Sequence, residues 1–399
     1  MKRLGMTTVN QGRPDRVGSN DGQPQFSVVD LFCGVGGLSL GFEMTGKFDV
    51  AAAFDNWEPA VCTFNANRKR KVALLCDLGK EKDARRVTGL RSPHAVLGGP
   101  PCQDFSQANK ARMGNGANGN LTPLFADLAC AMAPHWIVME NVNTIESIGL
   151  TQLEKCVSTI KNAGYGITAT VLDARDFGVP QARKRLFLVA RKNGIDDEML
   201  EYIMRRKRPH VTVREFRPSI FDKGKETEFY YRHPWSYGRR AIFSIDEQSP
   251  TIRGVSRPIP KTYRIHKNDA TKNLRLVRPL TYKERATIQT FPKSYTWCGT
   301  KTDIEQQIGN AVPPLLGKSV AEAILLFRAE HLVNAEPQYQ ATSRETVSKL
   351  HIHAPVASTA PAPSSTAPVR VVGSASASIS KQVLDVVAGL ENMSTLQVD

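Results

Sequence analysis

Between residues 26 and 190 the chain alternates short apolar runs with segments of helical period, the runs being 26–32, 50–54, 95–97, 136–139, 167–172 and 186–190. That rhythm predicts a doubly wound α/β sheet. Periodicity then degrades through a basic, proline-containing stretch and resumes as a helix at 281–286. From 315 to about 332, Leu316, Val320, Ile324 and Phe327 fall on one face, predicting a helix that packs back onto the sheet and closes the main domain. Residues 335–380, rich in Ala, Ser, Pro and Thr, read as a disordered linker, and 381–396 carries only a short helical pattern. The expected organisation is a flexible extension (1–25), a main domain (26–194 plus 281–333), a smaller irregular domain (195–280) and a largely disordered tail (334–399).

The length of 399 residues and the 41% hydrophobic content suit a soluble globular chain with two domains. No stretch approaches the roughly 18 consecutive apolar residues of a membrane span. The first 25 residues lack the apolar centre of a signal peptide, so a cytosolic protein is expected. Seven cysteines with no Cys-x-x-Cys pair argue against a disulfide framework and against a zinc site, and no metal is expected. The net charge of +15 points to a polyanionic partner. Residues 201–280 carry 19 Lys and Arg against 8 Asp and Glu, interleaved with Phe229, Tyr230, Tyr231, Trp235 and Tyr237, so base stacking beside phosphate contacts is expected there. A solvated basic face is the plainer alternative.

Three motifs carry chemistry. Gly98-Gly99-Pro100-Pro101-Cys102-Gln103-Asp104-Phe105-Ser106 follows an apolar strand and would hold a thiol on a rigid turn. Glu140-Asn141-Val142 ends a second strand, and Gln181-Ala182-Arg183-Lys184-Arg185 opens a third. Together they resemble the DNA (cytosine-5)-methyltransferases, most of all the single-chain enzymes of bacterial restriction–modification systems, over about residues 26–330. A glycine-rich turn, Asp30-Leu31-Phe32-Cys33-Gly34-Val35-Gly36-Gly37, would by itself fit several nucleotide sites. It also matches the first motif of that family. Gln307-Ile308-Gly309-Asn310 matches the last, and the helix at 281–292 matches one with a structural role.

The resemblance implies a doubly wound, Rossmann-like methyltransferase domain that binds S-adenosylmethionine, with 195–280 as target-recognition domain. Phe32, Gly34, Gly36 and Gly37 would line the methionine end of the cofactor. Asp55 would accept from the ribose, Asp77 and Leu78 would meet the adenine, and Pro100 and Asn310 would complete the pocket. Cys102 would add to carbon 6 of a cytosine extruded from duplex DNA, making carbon 5 nucleophilic. Glu140 would engage ring N3 and the exocyclic amine, Arg185 would bond the carbonyl oxygen, and Arg183 would support the pocket. Gln103, Ser106, Thr251, Arg253 and Arg257 would contact DNA, the two arginines at guanine edges or, equally, at phosphates. Residues 106–122, rich in Gly and Asn, would form the closing lid. A monomer in the bacterial cytosol or nucleoid, paired genetically with a restriction endonuclease, is implied.

Three positions depart from the family pattern, the first being Asp55, where Glu is usual. Asp104 stands where a small residue is usual, and Asn56 followed by Trp57 stands where one large apolar side chain is usual beside the adenine. An RNA methyltransferase of the same fold is a weaker reading, because its Cys-Phe-Thr signature does not occur in this chain. A homologue that grips DNA without methylating would be expected to have lost Cys102 or Glu140.

Overall fold

The computed structural model describes residues 25–90, 92–101, 121–220, 226–234 and 239–331. Cys102, Gln103, Asp104 and Ser106, the lid up to residue 120, the extension to residue 24 and the tail from 332 lie outside the described residues, as do Trp235 and Tyr237. The first eight strands are β1 (Phe26–Leu31), β2 (Phe48–Asp55), β3 (Ala73–Leu75), β4 (Ala95–Gly98), β5 (Trp136–Val142), β6 (Tyr165–Asp173), the two-residue β7 (Gln181–Ala182) and β8 (Lys184–Lys192). All but β7 form one sheet in the order β3-β2-β1-β4-β5-β8-β6. Its pairs are parallel except at β8, which runs antiparallel to both β5 and β6. The order reverses between β1 and β4, and in open α/β sheets the crevice beyond the carboxyl ends at such a point receives ligands.

The helices are α1 (Gly37–Glu43), α2 (Glu58–Ala66), α3 (Glu81–Thr88), α4 (Leu121–Met132), α5 (Ile145–Ile148), α6 (Leu150–Asn162), α7 (Leu200–Met204), α8 (Val213–Phe216), α9 (Tyr282–Ile288), α10 (Lys301–Asn310) and α11 (Pro314–His331). Side chains of a strand point alternately to opposite faces, and β5 shows the result. Ile137 and Met139 join Val87 of α3, Phe125 of α4 and Ile160 of α6, whereas Trp136 and Val138 join Phe42 of α1 and Phe327 of α11. The sheet is thus covered on both faces, which is why its central strands are apolar throughout. The stripe expected on the closing helix is the buried one: Leu316, Val320 and Ile324 are fully buried and Phe327 nearly so. Met199, Tyr202 and Ile203 share that cluster, so α7 packs on the main sheet.

Beyond α8 the chain forms β9 (Phe229–Tyr231), β10 (Ile242–Ser244), β11 (Ser249–Pro250) and β12 (Val277–Pro279). A three-stranded sheet has the order β10-β9-β12, while β11 leaves it to pair in parallel with β7. Two sequence expectations are corrected here. Tyr230 and Tyr231 are not stacking platforms: both are buried, Tyr230 against Phe243 and Tyr231 against Tyr263, because so small a sheet has few other large apolar side chains for its core. Cys62 on α2 and Cys298 ahead of α10 form a disulfide, with Cα atoms 5.9 Å apart and a sequence separation of 236. Counting cysteines and their spacings is blind to a pair that only the fold brings together.

Candidate active site

At the carboxyl end of β1 the backbone turns sharply, with positive φ at Phe32, Gly34 and Gly36. A side chain at Gly36 would place its Cβ 2.6 Å from the Phe64 ring, and one at Gly37 would reach 2.2 Å from the Val312 carbonyl oxygen. These glycines are therefore required by close approach as well as by conformation. The Gly34 N–H donates to Asp55 Oδ2 at 2.7 Å, and Asp55 Oδ1 accepts from the Trp57 N–H at 2.9 Å. Asp55 thus ties the end of β2 to the turn and keeps further lone pairs on both oxygens. Burial holds its carboxyl above the usual range. Beneath the turn Asp30 is buried, and burial, only partly offset by a hydrogen bond from Ser39 and by Arg68, pushes its carboxyl up to about 7.

Arg68 escapes sequence reading because it opens a basic run, Arg68-Lys69-Arg70-Lys71, that looks like solvated surface. In the fold its guanidinium lies 3.6 Å from the Phe64 ring centroid, pairs with Glu43 at 2.7 Å and donates to Ser39 Oγ at 3.3 Å. Tyr295 supports the turn from the other side, donating to the Val35 carbonyl at 2.6 Å. Around the crevice, Asn56 is exposed and Trp57 is half-buried against the cluster of Val35 and Ala60. Asp77 Oδ1 accepts from the Gly79 N–H at 3.2 Å, and Leu78 is buried. Asn310 exposes its side chain at the end of α10, within the segment that the Gly37 turn touches.

β4 ends beside this turn. A Cβ at Gly98 would meet Phe125 at 2.4 Å and the Leu31 carbonyl at 2.7 Å, so the turn to Pro101 starts flush against β1. Pro100 is buried and its carbonyl accepts from Asn141 Nδ2 at 3.4 Å. Antiparallel pairing of β5 with β8 sets Val142 opposite Arg185 and Glu140 opposite Phe187. Arg185 Nε consequently lies 2.9 Å from Glu140 Oε1, both side chains being largely buried. A Cβ at Gly99 would stand 3.6 Å from Glu140 Oε2, so the carboxyl faces the turn that leads to Cys102. Burial raises the pKa of Glu140 more than Arg185 and Arg183 lower it, which favours keeping a proton there.

Arg183 has a different surrounding. Its side chain is buried, donating through Nη1 to the Ile252 carbonyl at 3.1 Å and through Nη2 to the carbonyls of Gly309 at 3.0 Å and Asn310 at 3.4 Å. It joins β7–β8, the chain after β11 and the end of α10. The same stretch is held at each step: Thr251 Oγ1 donates to the Ala182 carbonyl at 2.7 Å, the Ile252 N–H to Gln181 Oε1 at 2.7 Å, and Arg285 to the Arg253 carbonyl. Arg253 Nη2 donates to the His233 carbonyl at 2.5 Å, and Arg257 is exposed. Glu140, Arg183 and Arg185 are thus brought together with Pro100, and the Phe32–Gly37 turn with Asp55. Thr251 joins the first group through the backbone of β7.

A family model for C-5 cytosine-specific DNA methylases matches residues 26–233 and 212–326. The type II methyltransferase M.HindV of Haemophilus influenzae is 47% identical over 305 residues, covering 76% of this chain and 97% of that protein. M.HgiDI of Herpetosiphon aurantiacus, also a type II methyltransferase, is 44% identical over 301 residues, 75% of this chain and 94% of its own length. Among solved structures, the Entamoeba histolytica methyltransferase EhMeth superposes with a TM-score of 0.59 at 18% identity, covering 77% of this chain and 99% of that one, a likeness of fold. With matched segments running from β1 into α11 and relatives this similar along nearly their whole length, the chain belongs to the C-5 cytosine-specific DNA methylase family and is a DNA cytosine-5 methyltransferase.

Proposed function

We propose that this enzyme methylates cytosine within one short duplex site, working on a base extruded from the stack and held covalently by Cys102. The observation that carries the reading is the buried Glu140–Arg185 pair facing Gly99. Extrusion is required because a stacked cytosine exposes neither ring face to a thiol. The Cys102 sulfur forms a bond to carbon 6, the 5,6 double-bond electrons move towards carbon 5, and a proton from Glu140 at N3 offsets the charge that develops on the ring. Arg185, fixed by the same carboxyl, is placed to hold the cytosine carbonyl oxygen. Arg183, tied to three carbonyls, acts as a positioning residue.

The Phe32–Gly37 turn, with its clash-limited glycines and the Asp55 carboxyl bonded to it, suits a ligand carrying a ribose. Phe32, Gly34, Gly36, Gly37, Asp55, Asp77, Leu78, Pro100 and Asn310 would hold it. S-adenosylmethionine supplies the electrophilic methyl group that carbon 5 receives. Residues 195–280 would read the site, with Thr251, Arg253 and Arg257, together with Gln103 and Ser106 of the catalytic loop, against DNA. Type II methyltransferase relatives support a place in a restriction–modification system, in the bacterial cytoplasm, and we take the working form to be a monomer.

The test is incubation with labelled S-adenosylmethionine and unmethylated genomic DNA, followed by mapping of 5-methylcytosine at base resolution. Methylation confined to one short motif, lost in Cys102→Ala with DNA binding retained, is the expected result. Equal methylation by Cys102→Ala would overturn the covalent mechanism.

A further inference from the structure

A small, partly open cleft lies between β9 and the chain that follows β11, lined by Tyr230, Arg232, His233, Ile252, Arg253 and Arg285 among others. Among the described residues no carboxylate lines it. Glu305 pairs with Arg285, whose other nitrogen donates to the Arg253 carbonyl, so that guanidinium serves as a strut. Arg232 differs. Its Nη2 donates to the Thr251 carbonyl at 3.1 Å, which fixes the plane of the fork, yet its Nε is buried with no acceptor and no acid pairs with it among the described residues. Resting on the reading above, we infer that this cleft receives one phosphodiester of the DNA backbone, with Arg232 as its principal ligand and Arg253 and His233 as its walls.

Three physical arguments favour a phosphate. A planar guanidinium held through one N–H still carries further N–H donors on its terminal nitrogens, and such donors match phosphate oxygens. A buried cation without an anion is costly, and a phosphate is the group that duplex DNA brings to every step along its backbone. The local field agrees. Burial and the Arg253 charge push Arg232 down to about 10, and burial with the charges of Arg253 and Arg232 does the same to Arg285. His233 is lowered by burial and by Arg257, Arg253 and Arg232. The position also suits the reaction. Through the Thr251 carbonyl, Arg232 touches the segment that Thr251 Oγ1 anchors to β7, the strand next to Arg183 and Arg185. A phosphate seated there would set the register of the duplex relative to Glu140.

The test uses the full chain and a duplex carrying its own methylated motif. Arg232→Met should weaken binding on the order of tenfold and reduce the slope of log affinity against log salt by about 0.9, with cofactor affinity and the methylated motif unchanged. Each phosphate of the duplex is then replaced in turn by an uncharged methylphosphonate. At one position the wild type should lose about the same factor as the Arg232→Met protein, which should lose nothing further there. Arg232→Lys, which keeps charge without the fork, gives a second cycle if the Met variant does not hold cofactor. Additive losses at every phosphate would overturn the inference, as would an altered methylation motif, which would mean that Arg232 reads a base edge. Stabilisation by inorganic phosphate with no coupled position in DNA would assign the cleft to a free anion and equally overturn it. If the wild type methylates no DNA, the proposed function itself fails; normal methylation with additive losses removes this inference alone.

Discussion

The crevice proposed to hold the cofactor and the side proposed to read the target are held in place by different means. At the crevice, backbone fits against backbone and ring: Gly36 against Phe64, Gly37 against Val312, Gly98 against Leu31. On the other side, guanidinium groups reach across space to carbonyls, with Arg232 on Thr251, Arg183 on Ile252 and Arg285 on Arg253 in consecutive order. Contacts of the first kind allow one residue type and leave a mark in the sequence. Those of the second kind leave arginines whose carbonyl partners no local pattern shows, 69 residues away for Arg183 and 32 for Arg285.

The division can be broken at its junction. Arg183→Met leaves three carbonyls, on Ile252, Gly309 and Asn310, short of their buried donor. At about 1–3 kcal/mol for each unsatisfied group, urea unfolding should show a loss of several kcal/mol, and kcat/KM should fall for DNA and cofactor together. Arg183→Lys should recover part of each. A loss confined to DNA would show that the two sides are more separate than Arg183 suggests.

The crevice alone is addressed by Gly37→Ala. With the Val312 carbonyl 2.2 Å from the new Cβ, overpacking of about 1–3 kcal/mol is expected together with a raised Kd for S-adenosylmethionine. Binding to DNA, measured by anisotropy, should change little. A smaller effect concerns Asp30, whose folded pKa of about 7 stands above its ordinary 3.8. The folded state then keeps a proton that the unfolded state has released, so the contribution of this group is fully present below about pH 4 and is lost as pH rises towards 7. The slope is at most about 1.4 kcal/mol per pH unit. Asp30→Asn should flatten the decline between pH 5 and 7 in urea titrations, and an unchanged slope would assign the effect to other groups.

What the sequence disclosed follows the same line. The strand runs at 50–54, 136–139 and 186–190 and the buried stripe of α11 are local periodicities, and burial on both faces of a sheet makes them strong. β3 has only three residues, Ala73–Leu75, behind a basic run, too few to show a period. The roles of Glu140 and Arg185 came from a resemblance, and their pairing depends on the register of β5 with β8, which no local pattern encodes. Tyr230 and Tyr231 misled because an aromatic beside lysines and arginines reads alike in a small core and on a nucleic-acid surface. Arg68 and the Cys62–Cys298 pair were hidden by distance along the chain, 25 residues from Glu43 in the one case and 236 in the other.

The contact of Gly37 with the Val312 carbonyl has a consequence for how the enzyme comes into being. The turn that would cradle the methyl donor is synthesised first, but its far wall leaves the ribosome some 275 residues later. A nascent chain that has already exposed its positively charged middle segment can therefore meet DNA before it is able to modify it. The wall behind the turn is in place only once the segment that holds Val312, between α10 and α11, has folded back against it.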